Sequence, residues 1–180
     1  MMNDFAKPYK VVTETLDIVT QRVVKYMKDK GLTLSAAESC TGGLVSESIT
    51  SVAGASAVYK GGVCSYSEEV KQKTLGVSQD ALERFTVYSP QVASQMSRGV
   101  MKLMGTDAAI GITGIAGPDG GSDEKPVGTV YVSVRLHEAE LVRDLALYRE
   151  YDELDRKKVR YLAAIKSLEM LLELIDRKEG

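Results

Sequence analysis

The chain has 180 residues, 44% of them hydrophobic and 27% charged, an ordinary globular mixture with enough apolar mass for a core. Its formal net charge is −2, so it lacks the basic surplus that neutralises a phosphate backbone or an anionic lipid surface, and neither nucleic acid nor membrane is expected as a main partner. No run approaches the roughly 18 to 20 apolar residues of a membrane helix, and the opening MMNDFAKPYK lacks the apolar centre of a signal peptide, so a cytoplasmic location is expected.

After Pro8, Val12, Leu16, Val19, Val23 and Met27 recur at helical spacing up to Gly31, which predicts an amphipathic helix over about 11–30. LTLSAA reads as a short buried strand running into ESCTGG, and the pattern from Thr41 to about Val52 is helical. Residues 57–66 read as a strand in which Gly61 and Gly62 mark a bulge or a close backbone approach. Ser67 caps a short helix through Lys71 to about Leu75, and LGVSQDALERF gives a turn and another short helix. YSPQVASQMSRGVMKLMG has Ser89 as cap, Pro90 at the first helical position and Gly105 as stop. DAAIGITGIAG is a strand entering the glycine-rich loop GIAGPDGGSDEKPVG, and TVYVSVRL with AELVRDLALY forms an antiparallel pair around His137 and Glu138. Leu162, Ile165, Leu168, Leu172 and Ile175 predict a long final helix. Strands alternating with helices, plus one late hairpin, imply one domain with a core over about 32–176, built as a three-layer α/β/α sandwich with a mixed, mostly parallel sheet. Ligands of such sheets gather in glycine-rich loops at strand ends, here residues 38–43, 66–71 and 113–128.

The chemistry is narrowed by what is missing. ESCTGGLV has no lysine after its last glycine, and GITGIAG has the wrong glycine gaps for a dinucleotide fingerprint. One histidine, His137, and two cysteines 24 positions apart, Cys40 and Cys64, form no metal-ligand spacing; no metal and no cofactor are expected, and the cysteines are read as buried free thiols. A serine nucleophile without histidine needs another base, for which lysine is the known alternative. Ser122 and Lys125 in SDEK have a Ser-x-x-Lys spacing, but they lie in a loop, where that spacing does not bring the side chains together. Ser39 stands where a strand meets a helix, and is either a helix cap or a nucleophile whose oxyanion is held by backbone N–H groups and the helix dipole. Cys40 is the rival nucleophile. Lys71 is a candidate base if burial lowers its pKa, and Lys60 and Lys73 are equally eligible from the sequence.

Three stretches, AAESCTGGLVSESIT, YKGGVCSYSEEVKQKTLGV and TGIAGPDGGSDEKPVGTVYV, resemble the C-terminal domain of the CinA family, over about residues 32–172. Stand-alone members of that family are nicotinamide-nucleotide amidases. The resemblance implies a serine and lysine hydrolase on a three-layer sandwich, with Ser39 as nucleophile, Lys71 and Tyr66 assisting, and no catalytic metal. It also suggests a homo-oligomer and a role in pyridine-nucleotide salvage. The expected reaction is hydrolysis of the carboxamide of nicotinamide mononucleotide, with N–H groups of Cys40, Thr41, Gly42 and Gly43 around the oxyanion. Thr113, Gly114, Ala116 and Gly117 would cradle the nucleotide, and Arg160 would pair with its phosphate. Where the family motif has asparagine this chain has Glu68, whose carboxylate would raise the Lys71 pKa. The alternatives are hydrolysis of another small amide and a nucleotide-binding or regulatory module.

Overall fold

The computed structural model describes residues 7–179; the first residues, on which the signal-peptide reading rests, lie outside them. A 23-residue helix, α1 (Lys7–Asp29), buries Leu16, Val19, Val23 and Met27, the stripe its spacing predicts, and ends where Gly31 turns left-handed at φ 67. Strand β1 (Leu34–Glu38) is buried at all five positions, as expected of a strand covered on both faces. Helix α2 (Leu44–Thr50) begins three residues later than the sequence predicts, because Gly42 (φ 60) and Gly43 (φ 95) hold the chain in the left-handed region.

Strand β2 (Tyr59–Cys64) pairs with β1 through a register shift opposite Tyr59 and Gly61, the predicted irregularity. Gly62 is also a close approach, since a Cβ there would come within 2.8 Å of the Ala36 carbonyl and the Ser46 hydroxyl. Helices α3 (Glu68–Leu75), α4 (Gln79–Phe85) and α5 (Pro90–Met104) follow, capped by the side chains of Ser67, Ser78 and Ser89. Gly99 of α5 sits against α3 so tightly that a Cβ there would stand 2.0 Å from the Leu75 carbonyl oxygen.

Strands β3 (Ala108–Gly114), β4 (Val130–Leu136) and β5 (Ala139–Asp144) complete a sheet of order β2-β1-β3-β4-β5. Only β4 runs against the others, so the sheet is mixed and mostly parallel in direction. The predicted second hairpin strand stops at Asp144 rather than running to Tyr148. The Asp144 carboxylate accepts the Ala146 N–H at 2.9 Å, and the chain turns into the single helical turn α6 (Leu147–Glu150). The last helix, α7 (Arg156–Glu179), packs with α1 and α2 on one face of the sheet, burying Leu168, Leu171 and Ile175. Helices α3, α4 and α5 cover the other face with Leu75, Met96 and Val100. The three predicted layers are therefore present, and the C-terminal ends of β1, β2 and β3 open at one side. Among the described residues no helix is long and apolar enough to cross a membrane.

Candidate active site

The loops after β1 and β2 meet because the Ser65 N–H donates to the Glu38 carbonyl at 2.8 Å, extending the parallel ladder one step beyond the strands. That step brings Ser39 beside the loop leading into α3. The Ser67 hydroxyl accepts the Val70 N–H and fixes the first turn of α3, which carries Lys71 inward. The Lys71 side chain is 1% exposed; its Nζ lies 2.9 Å from Ser39 Oγ and donates to the Ser65 carbonyl at 2.6 Å. The other eligible lysines are elsewhere: Lys60 is exposed on the edge strand, and Lys73 pairs with Glu69 in solvent.

Burial lowers the Lys71 pKa from 10.5 because a charged ammonium is poorly solvated there. Cys40, Glu68 and Cys64 act in the opposite direction, each more weakly than burial, so the sequence expectation that Glu68 would hold the lysine protonated is corrected in its net sign. Burial pushes the Cys40 thiol up to about 12, which leaves no thiolate to compete with Ser39 as nucleophile. Both cysteines are free, but Cys64 is exposed rather than buried, since it ends the edge strand β2.

The cap of α2 is not Ser39. It is Glu38, a buried carboxylate that accepts the N–H groups of Gly43 (3.0 Å), Val45 (3.0 Å) and Ser46 (2.8 Å) and the Ser46 hydroxyl (2.7 Å). Sequence reasoning missed it, although a carboxylate ending an apolar strand just before a helix is the available signal. Gly42 N–H returns to the Ser39 carbonyl at 3.1 Å, so Cys40 and Thr41 are the middle residues of a turn. The expected oxyanion donors accordingly shrink from four to two: Gly42 and Gly43 have committed their N–H groups, whereas those of Cys40 and Thr41 donate to no backbone carbonyl among the described residues. The positive end of α2, only seven residues long, is already answered by Glu38.

Ser39 and Lys71 open into a cavity of about 380 Å³. Its wall includes Cys40, Tyr66, Glu68, Val87, Tyr88, Gly114, Ile115, Ala116, Gly117, Asp119 and Arg156. Gly114, Ala116 and Gly117 thus lie where the sequence placed them. Thr113 does not reach the cavity, because its buried hydroxyl donates to the Val87 carbonyl at 2.8 Å. Thr41, Gly42 and Gly43 also lie behind the wall, and the Thr41 hydroxyl is buried without a partner among the described residues.

Arg160 is likewise outside: its Nε and Nη2 donate to the Thr41 carbonyl at 3.1 and 2.8 Å, so it grips the loop after β1 rather than entering the cavity. Arg156, one helical turn earlier and unremarked in the sequence, occupies the cavity and donates to the Gly117 carbonyl and the Tyr66 hydroxyl, each at 2.7 Å. Tyr66 is 64% exposed, and its hydroxyl bonds to neither Lys71 nor Ser39 among the described residues. Ser122 accepts the Lys125 N–H in a loop, as expected, while Lys125 Nζ turns to Thr86 and the Tyr88 carbonyl. Among the described residues no group of three or more His, Cys, Asp or Glu side chains is placed to hold a metal.

The family model described as the CinA C-terminal domain matches residues 16–175. A putative competence-damage inducible protein of Acetivibrio thermocellus is 39% identical over 172 residues, covering 96% of this chain and 40% of its own length. A CinA-like protein of Kosmotoga olearia is 43% identical over 163 residues, covering 91% of this chain and 38% of its own. The chain therefore spans about two-fifths of the length of these curated relatives. Among solved structures, the competence/damage inducible protein CihA from Agrobacterium tumefaciens superposes with a TM-score of 0.84 at 35% identity, over 89% of this chain and 95% of that one. A CinA superfamily protein from Escherichia coli gives a TM-score of 0.83 at 31% identity, over 90% and 91%. With sequence and fold in agreement, the chain belongs to the CinA C-terminal domain family.

Proposed function

We propose that the cavity hydrolyses the carboxamide of nicotinamide mononucleotide to a carboxylate, releasing ammonia. One observation carries the reading: a desolvated lysine nitrogen held 2.9 Å from a serine oxygen at the bottom of a cavity. A neutral amine has two N–H bonds and one lone pair. The Ser65 carbonyl takes one N–H, which leaves the lone pair free to accept the proton of the Ser39 hydroxyl.

Ser39 Oγ attacks the carboxamide carbon while its proton passes directly to Lys71 Nζ. The tetrahedral oxyanion lies against the N–H group of Cys40, the cavity-lining residue of the turn whose N–H meets no backbone carbonyl among the described residues. On collapse the C–N bond breaks, the Lys71 ammonium returns its proton to the leaving nitrogen, and ammonia departs. Lys71 then takes a proton from water, which attacks the acyl-enzyme; the second collapse restores the Ser39 hydroxyl and frees the acid. The net reaction is amide plus water to acid plus ammonia. The guanidinium of Arg156 and the backbone of Ala116 and Gly117 supply contacts for the nucleotide phosphate, the role the sequence gave to Arg160. Tyr66 orients Arg156 rather than relaying the proton. The setting that goes with this reading is cytoplasmic pyridine-nucleotide salvage by a homo-oligomer working without metal or cofactor.

The test is ammonia release and product mass from the purified protein with nicotinamide mononucleotide and a panel of other carboxamides, beside Ser39→Ala and Lys71→Ala. Turnover lost in both variants supports the reading. Wild-type turnover in both removes the assigned roles, turnover confined to another amide replaces the substrate, and tight nucleotide binding with no turnover by any of the proteins favours a binding module.

A further inference from the structure

The cavity is electrically two-sided. Arg156 lies on its wall against the Gly117 carbonyl and the Tyr66 hydroxyl, while Glu68 and Asp119 also line it. Both carboxylates are exposed, and neither is hydrogen-bonded or ion-paired among the described residues. By contrast, Glu69 of the same helix and Glu173 of α7 hold a lysine and an arginine. Two carboxylates without a hydrogen-bond or ion-pair partner among the described residues, of which Glu68 acts on Lys71 only through space, are therefore available to a ligand in the cavity.

Their position gives the ligand chemistry. Glu68 and Lys71 are three residues apart on α3, so they share a helix face with Cβ atoms roughly 5 to 6 Å apart. A carboxamide carbon poised at Ser39 Oγ is next to Lys71 Nζ, and the group bonded directly to that carbon extends into the cavity whose wall includes Glu68. For an amide on an aromatic ring, that group is the ring. A ring bearing a positive charge is attracted there, and one without charge is not. We propose that Glu68 is a specificity-determining residue whose carboxylate selects amides carried on a cationic heteroaromatic ring over neutral rings of the same shape. This rests on the amidase reading for the placement of the carboxamide, and it adds a charge requirement that the nucleophile and base do not impose.

Glu68 is exposed, so water and salt screen the attraction, and a preference of about tenfold, not several thousandfold, is expected. The experiment uses the full chain with Ser39→Ala, which removes turnover, and measures by calorimetry the dissociation constants of nicotinamide mononucleotide and of benzamide riboside 5′-phosphate, its neutral-ring isostere. With Glu68 present, the cationic ligand should bind about ten times more tightly; with Glu68→Gln the ratio should fall to within about twofold, and Glu68→Asp should recover part of it. An effect routed through the Lys71 charge has the opposite sign: without Glu68 the lysine sheds its proton more readily, repels a cationic ring less and so raises the ratio, whereas loss of a direct attraction lowers it. Equal binding of the two ligands in the presence of Glu68, a ratio that survives Glu68→Gln, or no binding of either ligand overturns the proposal. Ammonia release by the protein with Ser39 intact decides the amidase reading separately, since the binding ratio does not depend on turnover.

Discussion

The chain contains two serine and lysine pairs that differ in almost every respect. Ser122 and Lys125 are three residues apart, yet the loop sends the Lys125 amine to Thr86 and the Tyr88 carbonyl. Ser39 and Lys71 are 32 residues apart, yet two adjacent parallel strands deliver them to within 2.9 Å. The first pair is wet and the second is dry. Proximity along the chain therefore supplied a motif without chemistry, whereas strand pairing and burial supplied both the contact and the depressed lysine pKa that a base needs.

The sharpest way to break this contrast is to remove its dry members. Ser39→Ala and Lys71→Met should each lower kcat for nicotinamide mononucleotide by about a thousandfold or more, and the double variant should be little worse than either, because the two act as one unit. A double loss equal to the product of the single losses would show that they act independently.

The two arginines of α7 refine the comparison. Arg160→Met should lower kcat by about 10- to 100-fold with KM changed less than about threefold, since it frees the Thr41 carbonyl and loosens the oxyanion turn. Arg156→Met should do the reverse, raising KM about tenfold with kcat largely kept. Steady-state kinetics with both variants separates the roles, and exchanged signatures would mean that the assignments are interchanged.

Acidity probes the dryness itself. The rate should rise with pH as Lys71 loses its proton, with a midpoint below the ordinary value of 10.5. The stability sign follows from the same shift. Between the lowered folded pKa and 10.5 the unfolded chain binds more protons, so the Lys71 contribution to stability improves as pH rises through that window and is unfavourable below it. Lys71→Met should therefore raise Tm at pH 7 while abolishing turnover, with a smaller gain near pH 10; thermal melts at the two pH values measure it. The smallest effect belongs to the wet pair: Ser122→Ala should leave kcat/KM within about twofold, because an exposed loop hydroxyl touches no reacting atom.

Local structure was the legible part. Ser67 and Ser89 cap their helices as the sequence reads, because a cap acts over three residues, well within a sequence window; Ser78 caps α4 by the same rule, although only a turn was read at that position. Strand β1 and the stripe of α1 were readable from burial and spacing for the same reason. Glu38 was not, because its oxygens reach N–H groups five to eight residues ahead across a left-handed glycine turn that no helix periodicity reveals. The choice of Lys71 over Lys73 was also undecidable from spacing, since it depends on which side of α3 faces the β1 loop, and Lys60 drops out only because β2 proves to be an edge strand that leaves it exposed. Arg160 and Arg156 lie four residues apart on one helix face, and only the depth of each along α7 decides that one meets a carbonyl behind the wall and the other meets the cavity. The resemblance to a family supplied Ser39, Lys71 and Tyr66 by position, but the partner of Tyr66 is Arg156, a contact between two distant loops that residue spacing does not encode.

For the proposed reaction, the tight seat of Gly99 against Leu75 ties reactivity to a place outside the cavity. One added methyl would act as a wedge, sliding α3 along its neighbour and dragging its first turn, amine included, off target. Inherited variation at that position would silence the molecule by leverage, and a survey confined to the cavity wall would pass the change as harmless.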